Sequence, residues 1–206
     1  MTAFVSGAVE GVVDEAVFER LLRTVRGQVA NLYPTHGKSN LLNRLCGFNA
    51  AARRSPWLVL VDLDGDADCA PPFLARHLPS PAPHMMCRVV VRAIEAWLLA
   101  DRKRAAGLLQ VAERLVPDRP EDLPDPKGAL VDLARRSRSR EVREDLVPRV
   151  GSGRKVGPLY SSRIIGFVQD QRNGWRPRVA AHSADSLDRC LRRLDQLASR
   201  TRRKTR

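Results

Sequence analysis

Three carboxylate residues, Glu10, Asp62 and Asp64, each stand at or just past the end of a short apolar run. Glu10 closes AFVSGAV at 3–9, and the aspartates punctuate WLVLVDLDGD at 57–66. Residues i and i+2 of an extended segment project to one side, so Asp62 and Asp64 are expected to converge while Leu63 turns into packing. If the two runs are neighbouring strands, Glu10 arrives at the same rim. Three carboxylates brought together repel one another and call for a hard cation, Mg²⁺ or Mn²⁺. A metal so held can polarise a phosphodiester and activate water, with Glu10 as general acid or base. Glu95 sits where a later strand hands over to a helix and is a candidate fourth ligand. A glutamate in a first helical turn is equally favourable to the helix dipole. Lys127, in PDPKGAL, is a candidate to stabilise charge developing on a phosphate. A lone E-G or D-x-D is a weak signal. The ordered pair, separated by a strand–helix unit, is stronger. Asp66 and Asp68 are expected to be outer contributors or simply solvated.

The elements that must position these groups can be read from the apolar pattern. Strands are expected over 3–9, 28–33, 57–61 and 86–92, and helices over 12–26 and 38–53. Residues 67–84 hold five prolines and are expected to form a loop with one helical turn or a short helix. Residues 93–111 are helical in composition, with a break at Asp101, which is read as the cap of a helix over RKRAAGLL. Trp97 is expected in the core. Strand and helix alternate, which predicts an α/β fold with a mainly parallel sheet and helices on both faces. In such sheets ligands gather beyond the carboxyl ends of the strands. Behind this core, expected over 1–100, a basic helical extension spans 101–199. Its helices fall at 127–137, 158–170 and 183–199, and 135–155 is read as a charged, mobile loop. One of Ser161 and Ser162 is expected to cap the 158–170 helix. Residues 200–206, RTRRKTR, are read as a disordered basic tail.

Charge is unevenly distributed. Residues 1–134 carry 16 Lys/Arg and 16 Asp/Glu, whereas 135–206 carry 20 and 7, so the last third holds the whole net charge of +13. A neutral body with a basic third points to polyanions, although a solvated basic tail explains part of it. Lys38, Arg154, Lys155 and Arg163 are the candidate nucleic-acid contacts. Aromatics make up 5% of the chain, which favours backbone contact over base stacking.

Other classes lack support. GKSN at 37–40 has Leu32 where a P-loop needs glycine. The histidines are scattered and no Gly-x-Ser-x-Gly elbow exists. Cys46, Cys69, Cys87 and Cys190 form no C-x-x-C pair, which argues against structural zinc and for reduced thiols. No apolar run approaches membrane-spanning length, and MTAFVSGAVEG lacks the basic start of a secretory signal. A cytoplasmic protein without membrane partners is expected.

AVEGVVDEAVFERLL resembles the opening of Toprim domains, and LVLVDLDGD resembles their Asp-x-Asp strand. RAIEAWLLADRKRAAGLL followed by PDPKGAL is similar to a Toprim-related bacterial family filed as domain of unknown function 4276, akin to the Toprim domains of overcoming-lysogenization-defect nucleases. The resemblance runs from about residue 3 to 170. It implies a Toprim-like sheet, Glu10 as acid/base, Asp62 and Asp64 as Mg²⁺ ligands, and a nuclease cleaving DNA or RNA. More weakly, it implies a role in bacterial phage defence beside an ATPase partner. Two alternatives stand beside the enzyme: a non-catalytic nucleic-acid-binding module, and a regulatory subunit of an ATPase complex.

Overall fold

A computed structural model describes the backbone of residues 2–203 and the side chains of residues 2–199. Four strands form one all-parallel sheet: β1 (Phe4–Val9), β2 (Gln28–Pro34), β3 (Trp57–Asp62) and β4 (Met85–Val90), in the order β2-β1-β3-β4. Helices α1 (Val12–Thr24), α2 (Lys38–Ala51) and α3 (Ala70–His77) connect them in turn. The fold is therefore α/β, as the alternation of elements predicts.

β3 shows why the sheet sits in the middle. Leu58 and Leu60 enter one core cluster with α1, and Trp57, Val59 and Val61 enter another with α2 and α3. A strand covered on both faces must be apolar at every position, and all five are buried. Burial of this kind contributes roughly 1.5–3 kcal/mol for each large side chain. The close seat of α1 depends on Gly7: a Cβ there would lie 2.2 Å from the Phe18 ring.

Beyond β4 the chain is helical: α4 (Ile94–Leu99), α5 (Arg102–Leu109), α6 (Pro126–Arg135), α7 (Arg140–Leu146), α8 (Tyr160–Gln169), α9 (Pro177–Ala180) and α10 (Asp185–Arg203). These helices do not form a separate core. One cluster runs from Val5 and Phe18 through Trp97 and Leu130 to Leu194, so they share apolar interior with the sheet. Among the described residues, no helix is long and apolar enough to cross a membrane.

Three local expectations are corrected. Residues 140–146 form α7 and are not loop, because Ser139 caps the helix by accepting from Val142 N and because Val142 and Leu146 are buried. Asp101 precedes α5 but makes no cap bond with its side chain. It is 1% exposed and accepts instead from Arg176 N, Nε and Nη2 at 3.0, 2.9 and 2.7 Å. Neither Ser161 nor Ser162 caps α8, since both lie inside it. Of the tail expected over 200–206, the backbone of 200–203 continues α10 as helix, and 204–206 lie outside the described residues.

Candidate active site

Glu10 leaves the carboxyl end of β1 and crosses to the neighbouring strand, where its Oε1 accepts from Asp62 N at 2.9 Å. One bond thus joins the ends of β1 and β3. Four residues on, Asp14 occupies the third position of α1 and folds back so that its Oδ2 accepts from Gly11 N at 2.9 Å. This satisfies an amide that a helix start leaves unpaired, and it holds Asp14 on the same rim.

Glu95 comes from the element after β4. Its side chain is 1% exposed, and its Oε1 accepts from Tyr160 Oη at 3.0 Å and pairs with Lys127 Nζ at 3.3 Å. Its Oε2 is buried and has no partner among the described residues. The helix carrying it is fixed from behind. Trp97 Nε1 donates to Ser186 Oγ at 2.7 Å, and Trp175 Nε1 donates to the Trp97 carbonyl at 2.9 Å. Both tryptophans are fully buried, and Ser186 in turn donates to Glu121.

The carboxylates feel one another. Burial pushes Glu10 up to about 7; the Asp62 amide opposes this, while Asp14 and Asp64 add to it. Burial, then the charge of Glu95, pushes Asp14 up to about 6. Asp62 is raised well above the usual carboxylate range by burial first, then by Asp14, Glu10 and Glu95. By surface area Asp62 and Glu10 retain some solvent access, so these groups line an open rim and are not sealed inside. Burial alone would lower Lys127, but the charges of Glu95, Asp62 and Asp14 outweigh it and hold the ammonium form.

Asp64 departs from the expected geometry. β3 ends at Asp62, and Asp64 has φ of 49°, so the strand alternation that would aim it beside Asp62 has already stopped. Leu63 is fully buried as expected. Lys38 draws Asp64 aside: its Nζ lies 3.1 Å from Asp64 Oδ2, 2.6 Å from Asp66 Oδ2 and 3.1 Å from the Leu63 carbonyl. Lys38 is therefore turned to carboxylates. Arg163 is likewise occupied, by Asp145 and Glu141, whereas Arg154 and Lys155 lie exposed on the segment before α8.

Among the described residues, no three Asp, Glu, His or Cys side chains converge tightly enough to form a ready-made metal cage. The donor chemistry nevertheless suits a hard divalent ion. Glu10, Asp14, Asp62 and Glu95 offer oxygen ligands, Glu95 Oε2 is unpartnered, and a cation would relieve their mutual repulsion. Mg²⁺ ligands stand at about 2.0–2.1 Å, so a bound ion would require these side chains to draw together.

Two members of this rim were not foreseen. Asp14 had a signal: it follows Glu10 by four residues, at the turn of α1 where a carboxylate returns to the strand end. Tyr160 had none, since it meets Glu95 across 65 residues of chain. Compared with known proteins, the chain matches no family model, no curated protein and no solved structure.

Proposed function

We propose that this chain is a Mg²⁺-dependent, Toprim-like nuclease cleaving phosphodiester bonds of DNA or RNA. The observation that carries the reading is the bond from Asp62 N to Glu10 Oε1, which ties two strand ends into one acidic rim. Asp14 and Glu95 stand in the same electrostatic neighbourhood. The sequence resemblance to Toprim domains supplies the reaction class and the sheet topology is compatible with it. Mg²⁺ or Mn²⁺ held by Glu10, Asp14, Asp62 and Glu95, with Asp64 joining once released from Lys38, would polarise the scissile phosphate and make bound water more acidic. The protein's own groups do the rest. Glu10, which burial raises to about 7 when no cation is bound, would act as the general acid or base where it does not itself ligate the ion. Lys127 keeps its charge beside Glu95 and would stabilise negative charge developing on a phosphate bound at the rim.

The test is nicking of plasmid DNA and cleavage of RNA in Mg²⁺ or Mn²⁺ by wild type, Glu10→Gln, Asp62→Ala and Asp64→Ala. Losses of about 100-fold or more are expected, as for groups that act directly on the reacting centre. Equal rates in wild type and variants would remove the enzyme reading.

One observation favours a second reading. Lys38 pairs with both Asp64 and Asp66, and no metal cage is preassembled among the described residues. A chain of this kind would bind nucleic acid without cutting it, or would act as a regulatory subunit of an ATPase complex, as in phage defence. Co-purification with an ATPase, and activity that arises only on reconstitution, would support that reading.

A further inference from the structure

The segment between α7 and α8 is closed at its base and open at its tip. Gly157 N donates to the Leu146 carbonyl at 2.9 Å, and Leu159 N to the Asp145 carbonyl at 3.0 Å. A Cβ on Gly157 would lie 2.3 Å from the Asp145 carbonyl oxygen, so the closure depends on glycine. Gly151 and Gly153 take φ of 77° and 65° and turn the tip. Residues 149–155 are all exposed, with Val150 fully so.

The basic residues around this loop divide into two sets. Those on the helices are engaged: Arg135 with Asp132, Arg140 with Glu144, Arg143 with the Ser137 carbonyl, and Arg163 with Asp145 and Glu141. Arg149, Arg154 and Lys155, on the loop, take part in none of the ion pairs among the described residues. Three cations within seven residues repel one another in the free protein, and a polyanion relieves that repulsion. Beneath the loop lies an open concavity of about 820 Å³, lined by Arg135, Arg143 and Arg149 together with Glu144 and Asp145, the last of which is engaged by Arg163.

The loop is joined to the acidic rim. Tyr160, the residue after its base, donates its hydroxyl to Glu95. Half the loop is four or five residues, so its tip lies within roughly 16 Å of the base at ~3.3–3.6 Å per residue. That upper limit equals about four or five steps of a stacked strand at ~3.4 Å each. A strand with one phosphate at the rim can run past the loop, and each further nucleotide brings another phosphate to its cations, which a mononucleotide or dinucleotide lacks. Residues 147–159 contain no aromatic side chain, so no base is stacked there and the contact is with phosphates.

We propose that the loop around Arg149, Arg154 and Lys155 is a phosphate-backbone clamp that makes the acidic site select polynucleotides over mono- and dinucleotides, without regard to sequence. The selection rests on the nuclease reading of the rim; the binding does not. The full chain and its triple variant Arg149→Ala, Arg154→Ala, Lys155→Ala are compared in EDTA, by fluorescence anisotropy with labelled 20-nucleotide and 2-nucleotide DNA and RNA across a salt series. The variant is expected to lose at least about 10-fold in affinity for the 20-mers. Its slope of log K against log salt should fall by about 2–3, at ~0.7–0.9 for each phosphate that the protein no longer neutralises. The weak binding of dinucleotides and the melting temperature should not move. A charge-keeping variant, Arg149→Lys with Arg154→Lys, should retain the slope, which separates charge from shape. In Mn²⁺, the triple variant should cleave 20-mers with a raised KM yet hydrolyse bis(p-nitrophenyl) phosphate like wild type. An unchanged salt slope, or equal losses on 20-mers and dinucleotides, overturns the clamp. If no preparation hydrolyses either substrate but the slope falls as stated, the clamp's binding role stands and the nuclease reading fails.

Discussion

Glu95 carries an asymmetry that decides what it can do. Oε1 has a phenol and an ammonium beside it, whereas Oε2 has neither and is buried. Burying a carboxylate is costly unless it is paired and hydrogen-bonded, so Tyr160 and Lys127 make the position tolerable. The unsatisfied oxygen is the part of the group left for a ligand. Tyr160→Phe keeps the ring in its packed place and removes one donor. It is expected to lower stability by about 1–2 kcal/mol in urea unfolding. It should also weaken Mn²⁺ binding by about 10-fold in calorimetry, because Glu95 loses the bond that orients it. Unaltered Mn²⁺ affinity with reduced stability would make Tyr160 a packing residue alone. Asp64 shows the limit of reading at this scale. The sequence places it two residues beyond Asp62, and strand alternation turns that spacing into convergence only while the strand continues. The chain leaves the strand two residues before Asp64, and Lys38, 26 positions earlier, takes the carboxylate.

Elements are positioned by contacts that differ in how far they reach along the chain, and this governs what could be read in advance. β1, β3, β4 and the first two helices were legible because their burial repeats with a local period or as an unbroken apolar run. α4 and α5 were legible as a helix broken at Asp101. α7 was not, because seven residues hold only two buried positions, Val142 and Leu146, inside a run of charges that resembles loop. Asp101 was misread for another reason. Its spacing suits a helix cap, but its partner, Arg176, is 75 residues away and announced by nothing nearby. That pair joins the start of α5 to the segment leading into α9 through three hydrogen bonds on a nearly inaccessible carboxylate. Removing the guanidinium leaves this buried carboxylate with the Arg176 backbone amide as its one remaining donor of the three. Arg176→Ala is therefore expected to cost about 3–5 kcal/mol by chemical denaturation, whereas Arg178→Ala, at an exposed pair with Asp195, should cost under about 1 kcal/mol. Similar losses for both would show that Asp101 finds other donors.

At the scale of the whole molecule, the acidic rim opposes folding and its proposed metal would favour it. Glu10 and Asp14 have folded pKa values of about 7 and about 6 against ordinary values of 4.5 and 3.8, and Asp62 is raised further. Groups raised in this way bind more protons in the folded state than in the unfolded one. Stability must then fall as pH rises through this window. The penalty is absent below the unfolded values and complete once pH exceeds the folded ones. A tenfold change in an acidity constant corresponds to about 1.4 kcal/mol, and partial solvent access reduces the contribution of Glu10 to about 1–2 kcal/mol. For a chain of this length that corresponds to a fall in Tm of roughly 3–8 °C between pH 5 and pH 8, measured without divalent ions. Asp62→Asn removes the charge most strongly opposed by its neighbours and should flatten the profile and raise Tm at pH 8. Mg²⁺ at several millimolar should restore the wild-type Tm at pH 8 by binding the folded state. It should do little at pH 5, where protons already neutralise the rim, and nothing to Asp62→Asn. A Tm that rises from pH 5 to pH 8 in the absence of metal would mean that these carboxylates do not share the field their placement implies. A Mg²⁺ effect that survives in Asp62→Asn would place the ion elsewhere on the molecule.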